Sequence, residues 1–91
     1  MEFEWDQDKA DANKKKHGVD FDEAITVFHD RLTATVDDPD HSLREERFLT
    51  IGYSVRGRLL FVYHADRGGV VRLISARPAS ARERKKHEEE S

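Results

Sequence analysis

RFLTIGYSVRGRLLFVYHADRGGVVRLISA, residues 47–76, decides the fold. Leu49, Ile51, Tyr53 and Val55 alternate with smaller or polar residues, the period of two that marks a half-buried strand. Arg56-Gly57 reads as a tight turn into RLLFVYHAD, and Gly68-Gly69 as a second turn into VVRLISA. Glycine supplies the positive φ that short hairpin turns demand. Three antiparallel strands result, each joined to the next by a hairpin.

Upstream, LTATVDD (32–38) has the Thr and Val content of a modest fourth strand. The polar stretch DDPDHSLRE (37–45) reads as a turn-rich loop leading into the hairpins. Further back, DFDEAITVFHD (20–30) predicts a helix: Asp20 and Glu23 have capping-box spacing, and Phe21, Ala24, Ile25 and Phe28 share one helical face. Before it, Asp6 can cap a helix through QDKADANKKKH (7–17), stopped by Gly18. FEWD (3–6) is a short strand or extended lead-in that buries Phe3 and Trp5. Downstream, Ser80 and Glu83 form a second capping box opening ARERKKHEEE (81–90). The fold class is therefore α+β: two N-terminal helices, an antiparallel meander of three to four strands, and a C-terminal helix covering one sheet face. Residues 1–87 form one domain, with 88–91 as an acidic tail.

A chain of 91 residues buries only about 60–65% of its unfolded surface, so the core is thin. Eight aromatic residues still suffice to build one, which excludes disorder throughout. There is no cysteine, so neither a disulfide framework nor a thiolate metal site is expected. The acidic N-terminus lacks the apolar run of a signal peptide, and LLFVY (59–63) is too short to span a bilayer. A soluble, cytoplasmic protein without membrane association is the expectation.

The net charge of −3 conceals a split. Residues 1–43 carry −7, residues 44–87 carry +7, and the tail carries −3. RLISARPASARERKK (72–86) holds much of the positive charge. One half can face a polyanion although the whole is acidic.

Several elements, taken in order, resemble a known family: FEWD, Lys9 and Asn13, KHGVDFDEA, VFHD, and then EERFLTIGYSVRGRLLFVYHADRGGVVRLISARPASARER. This looks like the BrnT toxins of bacterial type II toxin–antitoxin pairs, and the resemblance runs from Phe3 to Arg84. It implies a RelE-like ribonuclease fold and inhibition of translation by RNA cleavage. It also implies a BrnA-type antitoxin with a ribbon-helix-helix region. Two toxins and two antitoxins would then sit on operator DNA through the antitoxin.

Metal-independent RNA cleavage needs a base for the 2′-OH, an acid for the leaving 5′-oxygen, and cations where charge grows on phosphorus. Arginine suits the last task, because its planar fork grips two phosphate oxygens and stays charged. Arg47, Arg72 and Arg77 are the catalytic candidates, with Glu46 or a histidine, His17 or His64, handling protons. Lys16, His17, Arg58 and Arg84 are candidates for RNA binding. Each has a plainer reading: Lys16 and His17 complement a helix C-terminus, Glu46 can form an exposed ion pair, and Glu83 caps a helix. His64 is well placed for proton transfer, but the resembling family usually has a small polar residue there. His87 stands where many of its members have Tyr.

Arg72 and Arg77 differ in parity, so a regular strand sends them to opposite faces. Only a kink or strand end at Ala76 lets them converge. The five histidines show no metal-ligand spacing, and no phosphate-binding glycine loop or calcium loop occurs. No metal or cofactor is expected. The alternative function is a non-catalytic module whose basic half binds nucleic acid or an acidic protein.

Overall fold

The computed structural model describes residues 1–38 and 46–90; most of the expected loop at 37–45 lies outside them. The elements run β1 (Glu2–Glu4), α1 (Gln7–His17), α2 (Phe21–Ala24) continuing as a 3-10 helix (Ile25–His29), β2 (Ala34–Asp37), β3 (Arg47–Tyr53), β4 (Leu59–Arg67), β5 (Val70–Pro78) and α3 (Ala81–Glu90). The strands form a single sheet in the order β1-β5-β4-β3-β2.

Both caps of α1 follow from sequence. Asp6 accepts from the N–H groups of Asp8 and Lys9, and Gly18 closes the helix at φ +70°. A Cβ is disfavoured in that left-handed conformation, so glycine is the residue that ends α1 cleanly.

The second helix departs from expectation. Asp20 caps it through the Glu23 N–H, but only four residues are α-helical before the chain tightens. Ile25, Thr26 and Val27 are β-branched and lose side-chain freedom in an α-helix. Thr26 Oγ1 also donates to the Glu23 carbonyl at 2.6 Å. Nor is the capping box reciprocal, because the Glu23 carboxylate turns inward to Arg58 and Ser54.

The meander of β2 to β5 is antiparallel throughout, as expected. The arrangement as a whole is different, because β1 joins β5 in parallel and makes a mixed sheet of five strands. Three residues give too little alternation to read a strand from sequence. Phe3 settles its place by packing edge-on against Phe28, with ring centroids 5.1 Å apart.

Helices α1 and α2 cover one sheet face. Leu60 and Val62 of β4 with Val71, Leu73 and Ala76 of β5 meet Ala10, Val19, Phe21, Ala24 and Val27 there. Gly52 lets the 3-10 helix approach β3, since a Cβ would meet Thr33 Oγ1 at 2.9 Å and the Val27 carbonyl at 3.1 Å. The opposite face carries α3, which buries none of its own residues. That lightly covered face holds the arginines.

Candidate functional site

The meander register assigns each residue to a face, since directly paired residues point the same way. In β4, Leu60 and Val62 point to the helices, so Phe61, Tyr63 and Ala65 point away. Regular pairing breaks between Tyr63 and His64: Tyr63 lies opposite Ser75, and His64 opposite Leu73. Ile74 is therefore an extra residue on β5, a β-bulge that reverses the alternation. Leu73 and Ala76 consequently both enter the core, although they differ in parity. Arg72 and Arg77 both come to the other face. They converge through a bulge at Ile74, not through an irregularity at Ala76.

Arg47, Ala65 and Arg72 form one row across β3, β4 and β5, and Glu4 of β1 continues it. Two strand spacings separate the arginines, roughly 10 Å, with only a methyl group between. The Glu4 carboxylate lies 3.6 Å from Arg72. Arg47 Nε is buried without a hydrogen-bond partner among the described residues. Among the described residues, the row sets two arginines against one carboxylate, Glu4.

Leu49, Tyr63 and Ser75 make the next row, and Ile51, Phe61 and Arg77 the one beyond. The Arg77 guanidinium carbon stands 4.5 Å over the Phe61 ring. Its fork grips Glu83 of α3 with both terminal nitrogens, at 2.8 and 3.0 Å, and it donates to the Tyr63 hydroxyl at 3.4 Å. The pair reinforces itself: the hydrogen bonds to Arg77 bring the Glu83 carboxyl down to about 2, and those to Glu83 push Arg77 up.

Beyond Glu83, α3 lies over a cavity of about 290 Å3 lined by Ile51, Phe61, Glu83, Lys86, His87 and Glu90. His87 stacks edge-on against Tyr53, and its Nε2 is buried with no partner among the described residues. The Tyr53 hydroxyl donates to Glu88 at 3.2 Å, fixing the end of the helix. Arg84, also on α3, is exposed and 4.0 Å from Glu88.

Other candidates lie elsewhere. Arg58 points to the helix side, where it ion-pairs with the buried Glu23 and donates to the Gly18 carbonyl at 3.0 Å. Those hydrogen bonds hold the Glu23 carboxyl below the usual carboxylate range, against the opposing effect of burial. Lys16 and His17 end α1, on the helix-covered side. Glu46 stands exposed just before β3. His64 is 2% exposed, on the helix side. It contacts the rings of Phe28 and Phe48 and is hydrogen-bonded to Thr50 at 2.8 Å and Asp66 at 3.0 Å. Burial pushes its imidazole down despite Asp66.

The sequence reading did not single out Tyr63 and Ser75, which lie between the two arginine stations. Parity with Phe61 was the available signal for Tyr63; none existed for Ser75, whose face depends on the bulge. No helix among the described residues is long and apolar enough to cross a membrane, and no group of three or more potential metal ligands occurs among them.

Comparison with known proteins bears on the family and the fold. The family model described as "Ribonuclease toxin, BrnT, of type II toxin-antitoxin system" matches residues 5–83. The crystal structure of the Brucella abortus ribonuclease toxin BrnT is similar, with a TM-score of 0.65 and 25% sequence identity. The match covers 88% of this chain and 97% of that one. No curated protein matches the sequence. With the family match spanning most of the chain, from the Trp5 lead-in to the glutamate that holds Arg77, the protein belongs to the BrnT family of ribonuclease toxins of type II toxin–antitoxin systems.

Proposed function

We propose that this chain is itself an active endoribonuclease that cleaves RNA without a metal ion and thereby inhibits translation in the cytoplasm. The observation that carries this reading is the bulge at Ile74, which puts Arg72 and Arg77 on the face that Arg47 shares through Ala65, around Tyr63 and Ser75. Arg47 and Arg72 take the phosphate and offset the charge that develops at phosphorus. Four residues along β3 separate the Arg47 row from the Ile51 row, roughly 13 Å at the strand rise. A single RNA strand laid along the face reaches both arginine stations. Proton transfer falls to Glu46, beside Arg47, or to His87, which lines the α3 cavity.

The family carries an antitoxin partner with it. For this chain we assign a BrnA-type ribbon-helix-helix antitoxin, in a complex of two toxins and two antitoxins that binds operator DNA through the antitoxin. The support is family membership.

The test is cleavage of a labelled mixed-sequence RNA in EDTA by the wild type, Arg47→Ala and Arg72→Ala. Fragments with 2′,3′-cyclic or 3′-phosphate ends, lost in both variants, are the expected result. Salt-sensitive RNA binding without cleavage overturns the enzyme and leaves a nucleic-acid-binding module.

A further inference from the structure

Arg77 was expected to grip phosphate, yet its fork is already full. Glu83 takes one hydrogen bond from each terminal nitrogen, in the two-point geometry with which guanidinium holds a phosphate. Both side chains remain partly exposed, at 31% each, so the pair sits at the surface of the arginine face. Around it, Phe61 lies beneath the guanidinium, the Tyr63 hydroxyl stands 3.4 Å to one side, and the α3 cavity opens on the other. These features describe a phosphate seat whose occupant is a carboxylate of the same chain.

We infer that Glu83 is a built-in competitor for the phosphate seat of Arg77, so that an RNA phosphate engages Arg77 only by displacing the Glu83 carboxylate. This rests on the ribonuclease reading and deepens it by dividing the face into a station where Arg72 has only a one-point contact with Glu4 beside Arg47, and a guarded one, Arg77, clamped at two points. The exchange leaves α3 in place. Glu83 also accepts from the Ser80 N–H at 2.9 Å, and the Glu83 N–H donates to Ser80 Oγ at 3.1 Å. Tyr53 holds the far end through His87 and Glu88. Oε1 is shared between the Ser80 N–H and Arg77, so the Ser80 bond can stay while both guanidinium bonds let go. With its carboxyl at about 2, Glu83 does not release Arg77 by protonation near neutral pH. A second anion must compete it away.

The experiment measures binding of a fluorescein-labelled, uncleavable 2′-O-methyl RNA by anisotropy across a salt series. The proteins are wild type, Glu83→Gln, Glu89→Gln, Arg77→Ala, the Arg77→Ala/Glu83→Gln double variant and Arg47→Ala/Arg72→Ala. Gln retains an acceptor for the Ser80 N–H, and Glu89→Gln makes the same charge change at an exposed position of α3. Glu83→Gln should bind about fivefold tighter than wild type, which is roughly 1 kcal/mol. Its salt slope should steepen by about 0.7, the signature of one further phosphate on a single strand. The gain should vanish in the Arg77→Ala background and be smaller in Glu89→Gln. Glu83→Asp, charged but too short to reach both guanidinium nitrogens, should move in the same direction and replaces Gln if that variant fails to fold. A folded Glu83→Gln protein that binds no tighter, while wild type binds through Arg47 and Arg72, overturns the inference alone and makes the pair a strut for α3. If folded wild type and Glu83→Gln both fail to bind, the RNA-binding basis of the ribonuclease reading falls and the inference falls with it.

Discussion

The side chain of Asn13 hydrogen-bonds both backbone groups of Ala76: its Nδ2 donates to the carbonyl at 2.8 Å and its Oδ1 accepts from the N–H at 3.0 Å. The pairing of β1 with β5 reaches only Arg72, so Asn13 stands where a neighbouring strand would have continued. The same Nδ2 donates to the Val19 carbonyl at 3.0 Å, tying α1 to the start of α2. Asn13→Ala should cost about 3 kcal/mol, because buried backbone groups are left without partners. Asn13→Asp should cost at least as much at neutral pH, since a carboxylate cannot donate to the two carbonyls. Denaturant midpoints check both; a shift within about 0.5 kcal/mol of wild type would show the clamp to be dispensable.

Arg58→Ala strands the Glu23 carboxylate, which is buried among Ser54 and the first turn of α2. Removing one partner of a buried pair costs about 3–5 kcal/mol; the partial exposure of Arg58 places this case at the lower end. In the wild type, Glu23 titrates below the ordinary carboxylate value of 4.5. Its contribution is therefore complete above that value and lost as pH falls through the depressed folded value. In Arg58→Ala the strongest hold on the charged form is gone, leaving Ser54 and the more distant Arg56 against the effect of burial. The gap between variant and wild type should narrow on going from neutral to mildly acidic solution. Thermal melts across that range test it, and a constant gap would point away from Glu23.

His64 gives a second pH dependence. Its imidazole is pushed below the ordinary 6.5 by burial, so protons bind the unfolded chain more readily. Stability is full above 6.5 and falls as pH drops from there toward the depressed folded value. His64→Gln should flatten the melting temperature across that window while lowering it at neutral pH through loss of packing against Phe28 and Phe48. An unchanged slope would assign the dependence to other groups.

Arg47→Ala and Arg72→Ala should each weaken binding of an uncleavable RNA. Each should also reduce the salt slope by about 0.7 to 1. Because both flank Ala65, the double variant should lose less than the sum if one phosphate bridges them. Equal salt slopes in wild type and variants would exclude phosphate contact at these positions.

Much of this architecture was legible in sequence. Asp6 and Gly18 bounded α1, and the glycine turns at Arg56-Gly57 and Gly68-Gly69 laid out the hairpins, because capping and positive φ are local demands. Where tertiary contacts decide, sequence fell silent. The tightening at Ile25 and the parallel pairing of β1 depend on what packs nearby, namely Thr26 against Glu23 and Phe3 against Phe28.

The candidate site was partly readable. Arg58 and His64 share parity with Leu60 and Val62, which was enough to send them to the helix side. Arg72 and Arg77 could not be placed, because the extra residue in β5 is a property of pairing with β4 rather than of its own composition.

Ile74 works like a frameshift in the folding pattern. Residues of β5 before it are read in one phase and those after it in the other, so the five-residue interval from Arg72 to Arg77 keeps both arginines on one side. In a strand without that shift the same orientation needs an even interval. When sequences of this shape are aligned, a one-residue gap between the two arginines therefore marks a strand that has lost its bulge, not one that has turned an arginine over. Deleting Ile74 should leave the faces as they are, because Arg72 to Arg77 becomes an interval of four and Leu73 to Ala76 an interval of two, and one regular phase then serves both.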